Sequence, residues 1–332
     1  MMLMVSIGYV FSYLIPTKQK SVSLTVSSNQ AFFLAQSGVE FAVRYAFDQG
    51  WATTALLNNF NNPPNNTRNL GKGRFILSYT PDTLTSTGEV PNTSQRRIVV
   101  SNFTRFLMRI DYFGSASTPA DNGSNNANPT AVVPPGGMQA GDLVLMIAQA
   151  RSSAGTLAIS NAGGQSWTSE TQQNQTNCRI RLFWCRFNGI WSANPSVSFG
   201  SAANHTVVMH VFRPSNTSSV WQVDVAQVSG NFAAPPVPRT VTIPGITTIT
   251  DGALVFAAWA SSDDNTWGSL TAGWSTPGSD QYRNTSSSDA SQTHAYKVMA
   301  TAGASGNVSK NQATLGGDAG ARLIIAFKAV IV

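Results

Sequence analysis

The residues that could do chemistry in this 332-residue chain are few: three histidines, two cysteines and some paired charges. His205 and His210 bracket the apolar run "HTVVMHVFR". Five positions apart on a strand, they face opposite sides and cannot share a metal, so a structural role is expected for both, as for His294. Asp263 and Asp264 in "SSDDNTWGS", and Asp121 in "PADNGSNNAN", sit in polar loops where oxygen ligands can gather a calcium ion, although Asp and Asn serve equally as turn residues. Trp267, beside the acidic pair, offers a flat indole face to a sugar ring, with a core or turn position as the alternative. Arg179 and Arg181 share a strand face with Phe183 and could hold phosphates and stack bases. No wider basic stripe accompanies them, so a solvated sheet face is the default. Glycine-rich phosphate loops, zinc-spaced cysteine pairs, nucleophile elbows and carboxylates paired for glycoside cleavage do not occur. The expectation is no enzyme, no metal centre and no cofactor, with Asp263, Asp264 and Trp267 as a candidate ligand or calcium loop.

Composition agrees. Apolar residues make up 42% and charged residues 11%, with Asn, Ser, Thr and Gly filling the gap, which suits a β-rich surface protein. The net charge of +6 is spread without a block of like charges, so no specific nucleic-acid partner is expected. Cys178 and Cys185 lie seven apart in "CRIRLFWC". In one extended strand they stand roughly 23 Å apart, beyond disulfide reach unless the segment folds back.

The elements that must carry these residues divide the chain in two. From Met1 to Ile15 there is no charged side chain, and Pro16 follows. At fifteen residues the run is short for an ordinary transmembrane helix, and it lacks the basic start and cleavage site of a complete secretory signal. From residue 31, Ala31, Leu34, Ala35, Gly38, Ala42, Tyr45 and Ala46 recur at helical spacing as a stripe of mostly small side chains, with Asn29 as a cap, Gly50 as a stop and Glu40 placed to pair with Arg44. Residues 1–50 therefore predict one helix of about 75 Å, interrupted near Pro16, with "SVSLTVSS" at 21–28 reading as extended or melted chain. An apolar helix of this kind must be buried against something, and small residues let helix backbones approach closely.

This pattern resembles the type IV pilin family, including minor pilins and pseudopilins. The resemblance rests on the apolar start, the proline within it and "QAFFLAQSGVEFAVRYAF". It implies a helix that sits in the inner membrane and then packs with copies of itself as a filament core, handled by a pilus assembly machinery. It also implies a chain that begins at Met1 as a mature form. The family's usual glutamate at the fifth mature position is matched here by Val5. The residues so assigned to filament assembly are Met1, Leu3, Val5, Ile7, Val10, Phe11, Leu14, Pro16, Ala31, Leu34, Ala35, Gly38, Ala42 and Ala46.

After an Asn- and Pro-rich connector, residues 74–79 and 97–110 read as strands, with Gly88 and Pro91 as turn residues between them. "LTSTGEV" followed by "RRIVV" resembles the strand pair after the helix in minor pilins. Residues 114–137, polar and rich in Pro and Gly, mark a linker or entry loop. Beyond it strand patterns recur without a helical one, which predicts an all-β sandwich. The segments near Gly141, Trp167, Leu182 and His205 resemble those near Asp251, Trp274, His294 and Gly320, in the same order and at an offset of about 110 residues. A jelly roll in two halves follows. "GDLVLMIAQA" and "ARLIIAFK" resemble jelly-roll-type domains of bacterial surface and phage structural proteins.

The expected architecture is α+β: a helix at 1–50, a small antiparallel pilin-like β head at 51–113, a linker at 114–137 and a jelly-roll-like β-sandwich at 138–332. The expected function is that of a structural, non-enzymatic subunit of an extracellular pilus-like filament displaying the sandwich on the outside, with surface glycans as candidate ligands. A membrane-tethered, lectin-like adhesin that does not polymerise is the alternative.

Overall fold

The structure is a computed structural model. It describes residues 2–49, 51, 53–91, 94–107, 109–201, 203–234, 236, 239–286, 289–312 and 317–330, with side chains from residue 18 onward apart from residues 47 and 105. The fold is α+β, one long helix followed by antiparallel sheets, in two compact units, Met1–Met108 and Arg109–Val332. The boundary therefore precedes the predicted linker. Residues 114–118, expected to lie outside the sheets, belong to a strand starting at Ile110.

In the first unit, α1 (Met2–Gln49) runs unbroken through the stretch predicted to be extended at 21–28. Within it Thr25 Oγ1 is satisfied inside the helix by donating to Ser21 O, one turn back, and Arg96 donates to Ser28 Oγ. The expectation of a break near Pro16 is not met by the backbone. On the surface Arg44 turns to Asp48 at 3.8 Å rather than to Glu40, which accepts from Gln36. A short α2 (Thr54–Leu57) is capped by Thr53, whose hydroxyl accepts from Leu56 N–H.

Strands β1 (Thr67–Leu70), β2 (Gly73–Thr80), β3 (Thr83–Val90) and β4 (Ser94–Ser101) form an antiparallel meander in chain order. Alternation on β2 sends Phe75, Leu77 and Tyr79 into a core with Ala42, Ala46, Leu57, Phe60 and Phe103. Gly88, predicted as a turn residue, lies inside β3 because α1 crosses there. A Cβ at Gly88 would run into Ala31 O and Ala35 N. The region after β4 closes as a short 3₁₀ turn, Phe103–Leu107, not as a strand.

The second unit consists of two halves with one strand plan. The first half comprises β5 (Ile110–Thr118), β6 (Thr130–Ala131), β7 (Leu143–Arg151), β8 (Ala158–Asn161), β9 (Thr168–Ser169), β10 (Gln173–Gln175), β11 (Cys178–Arg186), β12 (Ser196–Ser198) and β13 (His205–Pro214). The second half comprises β14 (Val220–Phe232), β15 (Thr240–Ile243), β16 (Ala253–Ser261), β17 (Trp267–Gly268), β18 (Tyr282–Asn284), β19 (Ala290–Met299), β20 (Val308–Gln312) and β21 (Gly320–Val330). The large sheet of the first half runs β10-β11-β7-β13-β5, with β9 added beside β11, and its small sheet runs β6-β12-β8. The second half repeats both orders, as β18-β19-β16-β21-β14 and β15-β20-β17.

The strands of the large sheets read as near-continuous apolar runs, and the packing shows why. Leu143, Leu145, Ile147, Ile180 and Leu182 meet Leu254, Phe256, Leu323, Ile325 and Phe327 in one core between the two large sheets. The alternate residues face the other way: Val144, Met146 and Phe183 onto the first small sheet, and Val255, Trp259 and Ile324 onto the second. Strands covered on both faces need apolar residues at every position.

Candidate functional site

The predicted assembly stripe is not free. Ala31, Ala35 and Ala42 are fully buried, Ala46 and Leu34 nearly so, and Gly38 is packed where a Cβ would meet Ser86 Oγ and Phe75. The stripe of small residues lets the helix backbone approach β2 and β3 of its own unit, so its assignment to contacts between copies is corrected. Expectations for Met1, and for the side chains of Leu3, Val5, Ile7, Val10, Phe11, Leu14 and Pro16, lie outside the described residues.

The apolar surface left on α1 is elsewhere. Residues 18–26 are exposed on every side, because the sheet covers the helix only from Ser27 onward. Val22 is 63% exposed and Leu24 50%, and farther along Phe33 reaches 62% and packs edge-to-face on Phe32. Among the described residues no helix is long and apolar enough to cross a membrane.

The histidines behave as their spacing predicts. His205 points to the first small sheet, stacked on Phe199 and held between Thr130 Oγ1 (2.6 Å) and Ala203 O (2.7 Å). His210, on the opposite face of β13, lies buried between the large sheets with Nε2 2.9 Å from His294 Nδ1. His294 Nε2 lies 3.1 Å from Gln292 Oε1, an oxygen that only accepts. With both rings held neutral by burial, His294 Nδ1 accepts from His210 Nε2–H, and His210 Nδ1 is left as a buried acceptor with no hydrogen-bond partner among the described residues. Burial pushes His210 down to about 3, His205 to about 4 and His294 well below its ordinary value. The chain continues through Gln292 Nε2 to Thr206 Oγ1, on to Gln149 Oε1, and from Gln149 Nε2 to Ser261 O. This polar thread stitches one large sheet to the other and presents no reactive group to solvent.

The basic pair is also internal. Arg179, expected on a solvated face, is fully buried and donates to Ser152 O (2.6 Å) and Phe199 O (2.7 Å). Arg181 donates to Glu170 O and Leu157 O and lies over the Phe183 ring. Cys178 and Cys185 are free thiols on one strand, facing different cores, and burial pushes Cys178 up to about 12.

The acidic loop gains members and loses its tryptophan. Trp267 is 4% exposed, in the core behind the second large sheet, with its indole N–H donating to Ser291 Oγ. A sugar-stacking role is therefore corrected. Asp121 belongs elsewhere, paired with Arg283 at 3.0 Å. Asp263 and Asp264, on the β16–β17 loop, instead meet Asp289, which immediately precedes β19. One carboxylate oxygen from each lies within 4.8 Å of the others. Asp318, before β21, joins through Asn265, whose Nδ2 donates to Asp318 Oδ2 at 3.1 Å. Sequence spacing hides this set, because Asp289 and Asp318 are remote in the chain. The halves' common strand plan is the signal that could have found it.

No family model, curated protein or solved structure matches the chain.

Proposed function

We propose that the protein is a structural, non-enzymatic subunit of an extracellular type IV pilus-like filament, assembled through α1 and displaying the β-rich second unit on the outside. The observation that carries this reading is the bare stretch of α1. A helix that continues past its own sheet with Val22, Leu24 and Val26 about half or more exposed is costly in water, at about 25 cal/mol per Å² of apolar surface. Packing against the same stretch of neighbouring copies removes that cost. The four-stranded meander folded on the later part of α1 supports its interpretation as a pilin-like head.

Each half of the second unit is read as a jelly roll. Numbered 1 to 8 along the chain, without β9, its strands run 5-6-3-8-1 in one sheet and 2-7-4 in the other, the nested order of two Greek keys. Such a rigid double sandwich suits display and adhesion to surface glycans. Before assembly the subunit would sit at the inner membrane with the assembly machinery.

The test is a charged pair on the bare stretch. Val22→Asp with Leu24→Asp is expected to abolish filaments in the producing cells while the second unit melts as in the wild type. Normal filaments from this variant would reject the proposal. Wild-type protein found only as membrane-bound monomers would instead favour a tethered adhesin.

A further inference from the structure

The duplication within the second unit supplies an internal control for the acidic loops. Ala150 pairs with Arg179 on one side and His205 on the other, whereas Ser261 pairs with Ser291 and Gly320. Ala150 and Ser261 are therefore equivalent, as are Arg179 and Ser291, and His205 and Gly320. Counting outward from these positions, Asp263, Asp264, Asp289 and Asp318 replace Ser152, Ser153, Asn177 and Ala203. The strand plan is thus built in the first half with no carboxylate at these four positions.

The first half ties its loops from inside. Ser152 N–H donates to Asn177 O, and the buried Arg179 guanidinium holds Ser152 O. In the second half Ser291, a neutral residue, stands in place of that cation, while four acids have gathered around the same loops. Among the described residues Arg151 is the cation acting on Asp289 and Asp318, and its Nη1 is already committed to Asp289 O at 3.3 Å.

Two oxygens point to what is missing. Asn265 is 1% exposed, and its Nδ2 is spent on Ser261 Oγ and Asp318 Oδ2. Its Oδ1, at the other corner of the carboxamide that reaches Asp318, is buried with no hydrogen-bond partner among the described residues. Asp289 Oδ1 is likewise buried, with no hydrogen-bond partner among the described residues. Buried oxygens without donors, set among carboxylates, are the arrangement a hard cation satisfies. The spacing fits: ligands at 2.3–2.6 Å from a calcium ion stand up to about 5 Å apart across it, against 4.8 Å for Asp263, Asp264 and Asp289. The scaffold is braced, since the buried Gln312 side chain accepts from Asp318 N–H and donates to Asp318 O.

We propose that Asp263, Asp264, Asp289 and Asp318, with Asn265 Oδ1, form a calcium-type divalent-cation site that clamps the loops at one end of the second half, in the role Arg179 fills in the first. The test is calorimetric titration of CaCl2 into the EDTA-stripped full chain, with thermal unfolding followed in parallel by near-UV circular dichroism. One saturable site is expected, with a dissociation constant on the order of 10⁻⁴–10⁻³ M, the range of extracellular calcium modules. Calcium at ten times that constant should raise unfolding of the second unit by about 3–6 °C.

The variant Asp263→Ser, Asp264→Ser, Asp289→Asn installs the residues the first half already carries, so it should fold. It should bind CaCl2 at least tenfold more weakly and lose the calcium-dependent shift. MgCl2 should bind at least tenfold more weakly than CaCl2. The proposal is overturned if wild-type protein shows no saturable heat up to about 10 mM CaCl2, if the variant binds as tightly, or if magnesium matches calcium, which would indicate charge screening.

Discussion

His210 and His294 show how a residue type associated with catalysis can become structural. Their hydrogen-bond chain closes with both rings neutral, and burial keeps them so. In the unfolded chain each titrates near 6.5, so below that value the unfolded state binds more protons and stability falls with pH. Each ring can remove up to about 1.4 kcal/mol per pH unit on the way down toward its folded value. Asp289 and Asp318, raised in the folded state, act in the opposite direction and offset part of this loss. His294 also feels Lys310, itself buried, with Nζ donating to Thr293 Oγ1, while the rings of Tyr112, Tyr282 and Phe256 pack around His210. Thermal melts should therefore show the second unit less stable at pH 5 than at pH 7. His294→Gln, which keeps a polar side chain, should make that dependence shallower by one ring's share and leave those of His205 and His210, and a wild-type profile flat across this range would contradict the neutral-pair assignment. Spacing alone revealed that His205 and His210 face apart, and it marked Asp263 and Asp264. It could not reveal Asp289 and Asp318, which arrive from other loops only when β16, β19 and β21 pair.

At the scale of elements, α1 was legible as a helix from its small-residue stripe, but the stripe's partner was not. Ala and Gly at helical spacing permit close approach to any backbone, and here the backbone is that of β3. Gly88→Ala tests that packing. The position does not need a left-handed backbone, so the added methyl acts only through its clash with α1 at Ala31 and Ala35. A loss of roughly 1–3 kcal/mol from the first unit is expected, read as faster amide exchange across β2–β4. Unchanged exchange would mean that α1 does not pack there. Ala35→Trp should unfold the same layer rather than act only on contacts between copies. Residues 21–28 read as extended because Val and Thr carry β propensity, yet here a local i−4 hydrogen bond and Arg96 accompany an unbroken helix.

At the scale of the molecule, the division into a helix-and-meander unit and a duplicated β unit was visible in composition and in the offset of about 110 residues. The four repeated segments fall on β7 and β16, the turns before β10 and β18, β11 and β19, and β13 and β21, which hold equivalent places in the two large sheets. The first edge strand of each half was not legible. β5 begins four residues before the polar stretch taken for a linker and runs into it, and β14 matches it in place but not in sequence. The bare stretch of α1 is what the filament proposal must explain. It is most directly tested by electron cryomicroscopy of material sheared from the producing cells. The account predicts helical filaments in which α1 of neighbouring copies meets along Val22, Leu24 and Phe33, with the stripe from Ala31 to Ala46 against its own sheet. Filaments whose core excludes α1, or protein recovered only as membrane-bound monomers, would contradict it.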